Sequence, residues 1–88
     1  GTEIAEIDDF FSILALNKSI EDFVDIKDYA KYEYYKELYY KVLEIYDFEN
    51  KKFRFLPFGG GIFEQEDKNP KMWQAMNYLI YKILQKRE

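Results

Sequence analysis

Leu56-Pro57-Phe58-Gly59-Gly60-Gly61-Ile62-Phe63-Glu64-Gln65 is the stretch on which the fold turns. It holds three of the four glycines and one of the two prolines of an 88-residue chain. Its reading decides whether the chain is built around a phosphate-binding loop or around a plain crossing between helices. A phosphate loop of the Walker type ends in Gly-Lys-Ser/Thr and leads into a helix, whereas Ile62-Phe63-Glu64 follows these glycines and brings an acid. The dinucleotide fingerprint needs glycines spaced G-x-G-x-x-G between a strand and a helix, and this run lacks that spacing. The glycines are therefore read as a backbone device, where the chain needs positive φ or close approach to a neighbouring element.

Downstream, the acidic Glu64-Gln65-Glu66-Asp67 and then Lys68 lead to Asn69-Pro70, a helix start in which Asn caps and Pro takes the first helical position. Met72, Met76, Leu79 and Ile83 recur at helical spacing, with Trp73, Ala75 and Ile80 alongside. Lys82, Lys86 and Arg87 complement the dipole at the far end. This predicts a helix over 70–86. Upstream, Phe53-Arg54-Phe55-Leu56 reads as a short strand, and Tyr46-Asp47-Phe48 can pair with it as a small hairpin across the polar turn 49–52. An isolated hairpin is marginal in water, so its Phe side chains must pack on the helices.

A helix is predicted over 26–46. Tyr35, Leu38, Tyr39, Val42 and Tyr46 form its apolar face, with Tyr32, Leu43 and Ile45 at the edges and Glu33, Glu37, Lys41 and Glu44 opposite. A first helix over 3–16, capped by Thr2, sets Ile4, Ile7, Phe11 and Leu14 on one face, widened by Phe10. Between the two, Asn17 is a natural stop, Ser19 a cap for a short turn over 20–24, and Asp25 with Asp28 a fresh start. Gly1 reads as a processing scar, so the native chain is expected to begin earlier. The fold class expected is mainly α. Residues 1–88 make one small three-helix domain, with a Gly-rich loop and a short β-hairpin between the last two helices.

Composition excludes several chemistries. The chain has no cysteine and no histidine, which removes disulfides, thiolate nucleophiles, Cys-ligated metals, the usual general base and the commonest transition-metal ligand. Ser12 and Ser19 have no base to activate them, so no enzyme activity is expected. A net charge of −4 argues against a surface that tracks phosphates, and Glu33, Glu37 and Glu44 oppose a base-stacking role for Lys27, Lys31, Lys36 and Lys41 among the tyrosines. No apolar run approaches the ~18 residues of a membrane span, and no basic segment leads into an apolar one. A cytoplasmic protein with no nucleic-acid or membrane partner and no cofactor is expected.

What stands out is the aromatic content: nine Tyr, eight Phe and one Trp. Aromatic rings give a small core large buried area, and Tyr also suits surfaces that meet a partner. Tyr34 and Tyr40 lie toward the polar side of their helix. Together with Phe58, Gly60, Gly61, Phe63 and Gln65 of the loop they are the expected contact residues for a protein partner or for self-association. The alternative is a small-ligand or divalent-metal site centred on Gly59, Gly60 and Gly61 and the acids of 64–67, with Asp8 and Asp9 as further oxygen donors. The EF-hand spacing is absent.

Leu56, Pro57, Phe58, Gly60, Gly61, Ile62, Glu64 and Gln65, followed by Met72, Trp73 and Met76 at the opening of a helix, resemble a pattern in small accessory proteins from phage and prophage tail-gene neighbourhoods. The resemblance spans residues 55–80, and the 66–69 spacer departs from the more direct run into the helix found in that pattern. It implies a non-enzymatic role in virion or tail assembly through protein–protein contacts, and carries over no catalytic residue.

Overall fold

The computed structural model describes residues 2–16 and 29–87. The expected stop at Asn17, the turn over 20–24 and the restart at Asp25 lie outside them. In order, the elements are α1 (Thr2–Leu16), α2 (Tyr29–Ile45), β1 (Tyr46–Asp47), β2 (Lys52–Phe53), a 3-10 turn (Ile62–Glu64), α3 (Gln65–Lys68) and α4 (Pro70–Arg87). The fold is mainly α, with one short antiparallel hairpin. The expectation of three helices is corrected by α3, a single helical turn in the acidic spacer before Asn69-Pro70. Pro70 explains why α3 and α4 stay separate. It disfavours helical geometry at the preceding residue, and Asn69 sits at φ −154° and ψ 81°. From there Asn69 caps α4, its Oδ1 accepting the Met72 N–H at 3.2 Å.

The three long helices pack on one another around Ile7, Phe10, Val42, Met76 and Leu79, all fully enclosed. On α2 the buried stripe runs Tyr32, Tyr35, Leu38, Val42 and Ile45, so two of the three expected edge residues, Tyr32 and Ile45, are core, while the third, Leu43, and the expected face residue Tyr39 are half-buried. On α1, Phe10 joins Ile7 and Phe11 in the core, but Ile4 stays 47% exposed. Phe10 is the hub of an aromatic cluster, with ring centroids 5.6 Å from Phe11, 6.4 Å from Tyr35 and 6.0 Å from Tyr39. Such pairs add to what the buried area alone contributes.

The hairpin pairs Tyr46 with Phe53 and Asp47 with Lys52. It is shorter than the sequence suggested, because the chain bends after Phe53 and leaves Phe55 exposed. Asp47 builds the turn. Its Oδ1 accepts the N–H groups of Glu49 and Asn50, each at 3.1 Å, and its Oδ2 accepts the Asn50 side chain at 2.8 Å. These bonds, the Asn50 side chain first, hold the Asp47 carboxyl below its ordinary range. The hairpin docks through rings: Tyr46 lies edge-on to Phe53 at 5.0 Å, and Phe53 stacks on Trp73 of α4 at 5.3 Å.

Two tyrosine–carboxylate bonds join α1 to its neighbours. Tyr35 of α2 donates to Glu6 Oε2 at 2.7 Å, and Tyr78 of α4 donates to Asp8 Oδ1 at 2.6 Å, where Lys82 also pairs at 3.2 Å. The Tyr78 hydroxyl is the main reason the Asp8 carboxyl titrates below its ordinary value. Burial, then the bond to Glu6, pushes the Tyr35 hydroxyl well above its ordinary 10.0. A phenol raised in the folded state stabilises the fold fully below pH ~10, and that contribution is lost as pH climbs from there toward the folded value. Urea midpoints should therefore fall as pH rises above about 10. Tyr35→Phe, which keeps the ring and removes the proton, should show a shallower fall; an unchanged slope would contradict the assignment.

Candidate functional site

The loop over 56–65 is folded around one side chain. Gln65, the first residue of α3, is 0% exposed, and its amide is used at both ends. Oε1 accepts the Phe58 N–H at 2.9 Å, while Nε2 donates to the Gly61 carbonyl at 2.8 Å and to the Gly59 carbonyl at 3.4 Å. A buried amide is tolerated only when its donors and acceptor are engaged, and here three backbone groups of the loop engage them. Gln65 was expected among the contact residues. Its enclosure makes it the post around which the loop wraps, with no surface to offer.

Among the described residues, Gly60 is the one glycine with positive φ, at +88°. A Cβ there would also fall against the Glu64 carboxylate, 2.8 Å from its Cδ. Glu64 can swing away, so the backbone conformation is the decisive constraint. Gly61 has extended geometry and open space where a Cβ would go, and a Cβ on Gly59 would approach Lys68 Nζ at 3.3 Å. The Phe58 N–H and the Gly59 and Gly61 carbonyls are turned inward to Gln65, and the Glu64 carboxylate lies against Gly60, a negative charge that disfavours a phosphate on this loop. No group of three acidic side chains among the described residues is arranged to hold a metal ion.

What the loop presents is apolar. Phe63, on the 3-10 turn, is 94% exposed and its chain neighbour Ile62 51%, and Ile62 borders a shallow depression together with Phe55, which is 67% exposed. Of the other expected contact residues, Phe58 and Tyr34 come together across a crevice that also involves Pro57 and Met72, where the loop crosses from α2 to α4. Gly60 and Gly61 are exposed on the crest of the loop. Tyr40 does not join this group. It lies six residues beyond Tyr34, about 120° around the helix, with its ring 6.2 Å from Tyr39.

A second apolar feature lies apart from the expected contact residues. Between α1 and α4 runs an open groove of about 600 Å³, lined by Ile4, Ile7, Ala75, Tyr78 and Tyr81. Ile4 was assigned to the core from its spacing to Ile7, but α4 does not cover it. The available signal was Tyr81, an aromatic lying on the polar stripe of α4 with Gln74, Asn77 and Gln85. It stays 54% exposed, stacked on Tyr78 at 5.9 Å.

No family model, curated protein or solved structure matches the chain. Among the described residues, no helix is long and apolar enough to cross a membrane.

The loop geometry makes a paired forecast. Gly60→Ala should cost about 1–2 kcal/mol, because only glycine adopts that φ without strain. Gly61→Ala should be neutral or stabilising by a few tenths of a kcal/mol, since it restricts the unfolded chain without a clash. Chemical denaturation of the two variants measures both, and equal losses would contradict this account of the loop.

Proposed function

We propose that the domain is a non-enzymatic protein-binding module whose contact surface is centred on Phe63. The observation that carries this reading is a phenyl ring 94% exposed on a loop whose backbone is held by Gln65. Fixing the backbone in advance removes part of the ordering cost of binding, and a buried aromatic ring supplies large contact area at an interface. Ile62, its exposed chain neighbour, adds apolar surface, while the exposed Gly60 and Gly61 leave the crest open to close approach.

The resemblance of residues 55–80 to accessory proteins of phage and prophage tail-gene neighbourhoods supports an assembly role, with a virion or tail protein as partner. The absence of His and Cys from the sequence supports a binding role over a catalytic one. A cytoplasmic setting fits the same reading.

The test is solution mass by light scattering, alone and with the products of neighbouring genes. A complex is expected, and Phe63→Ser should weaken it about tenfold or more while leaving thermal stability unchanged. A strict monomer that binds none of those products, or a complex indifferent to Phe63→Ser, would overturn the proposal.

A further inference from the structure

We infer that the depression between the hairpin arm and α4 is a docking site for an acidic segment of a partner protein, one that carries an apolar side chain between aspartates or glutamates. This surface goes beyond the one centred on Phe63, which does not line it. The depression is open and measures about 540 Å³. Tyr46 and Ile80, both buried, form its base. The exposed Phe55 and Ile62 give it apolar sides, and Lys51, Lys52 and Arg54, also exposed, bring three cations to it.

No carboxylate lines this depression, in a chain whose net charge is −4. The acids closest in the chain are engaged elsewhere. Asp47 stands across the hairpin from Lys52, but its oxygens accept the Glu49 and Asn50 groups of the turn. The Glu64 carboxylate lies against Gly60, and Glu66 accepts a bond from Gln74 at the α1–α4 groove. Among the described residues, no salt bridge occupies Lys51, Lys52 or Arg54. Lys51 adds an independent sign. Its φ of 57° lies in the left-handed region, where glycine would sit without strain. A lysine in that conformation places a charge beside the depression at a cost to the fold, as residues at binding sites do.

The chemistry of the occupant follows from this lining. Carboxylates meet the three cations, and an apolar side chain seats on Tyr46 and Ile80 between Phe55 and Ile62. A short peptide segment supplies both within a few residues. Nucleic acid suits the surface less well. Three cations offset few phosphates, and the negative charge of the rest of the chain repels an extended polyanion.

Titration of the 15N-labelled protein with the end-blocked peptide Asp-Asp-Leu-Asp-Asp, followed by NMR, tests the inference. Amide shifts are expected to concentrate at residues 51–56, Ile62 and Asn77. Binding should weaken as salt rises, because the cations are exposed. The peptides Asn-Asn-Leu-Asn-Asn and Asp-Asp-Gly-Asp-Asp, which lack the charges and the apolar side chain respectively, should each bind more weakly. Arg54→Glu should raise the dissociation constant about tenfold. Lys51→Gly should also weaken binding while Tm stays level or rises, a combination that a lysine serving only the turn would not give. Shifts that map elsewhere, no shifts up to about 10 mM peptide, an affinity indifferent to Arg54→Glu, or equal binding of the asparagine peptide overturns the inference. Tighter binding of a single-stranded oligonucleotide at the same residues and salt overturns it too, in favour of nucleic acid. These outcomes turn on residues 51–54, whereas the reading centred on Phe63 stands or falls with Phe63→Ser.

Discussion

The Gln65 side chain sits where the hairpin, the glycine loop and α4 have to be reconciled. A buried primary amide is costly unless it is satisfied, and this one is satisfied only by backbone groups of the segment that curls over it: the Phe58 N–H and the Gly59 and Gly61 carbonyls. The loop in turn needs the amide, because a segment that leaves both helix and sheet must find partners for its own N–H and C=O groups. The positive φ of Gly60 follows from this wrapping, since the chain must reverse to bring the carbonyls on either side of it onto one side-chain nitrogen. The aim of Phe63, two residues before Gln65, is a consequence of the same arrangement.

Beneath the loop, the helices are joined by two kinds of contact. The aromatic cluster around Phe10 supplies non-directional burial, which a small domain needs in large amounts per residue. Tyr35–Glu6 and Tyr78–Asp8 supply direction, because each hydroxyl reaches a carboxylate on α1 only at one rotation of that helix. Tyrosine serves both purposes at once, its ring in the core and its oxygen at the edge. Much of the unusual tyrosine content is therefore structural.

The helices were legible because their signals are local. Helical spacing marked the buried stripes of α2 and α4, Asn69-Pro70 marked the start of α4, and the polar turn between Tyr46 and Phe53 marked the hairpin. The glycine run was read as a backbone device, and of its three glycines Gly60 has the positive φ that this reading needs. Features that depend on distant partners were not legible. Gln65 looks like one more polar residue in an acidic stretch until Phe58, Gly59 and Gly61 are seen to close over it. The sequence distance from Ile4 to Ile7 says nothing about whether α4 reaches far enough to cover Ile4. The α3 turn was missed because the acidic spacer has no apolar stripe to give a periodic signal, and its only buried side chain is Gln65.

Hydrogen exchange at the Phe58 amide tests the central claim most directly, because that N–H has Gln65 Oε1 as its partner in a stretch without regular secondary structure. The account predicts a Phe58 amide protected well beyond its loop neighbours in the native protein. In Gln65→Leu that protection should be lost while the amides in the middle of α4 stay protected. A Phe58 amide that exchanges freely in the native protein, or remains protected in Gln65→Leu, would contradict it.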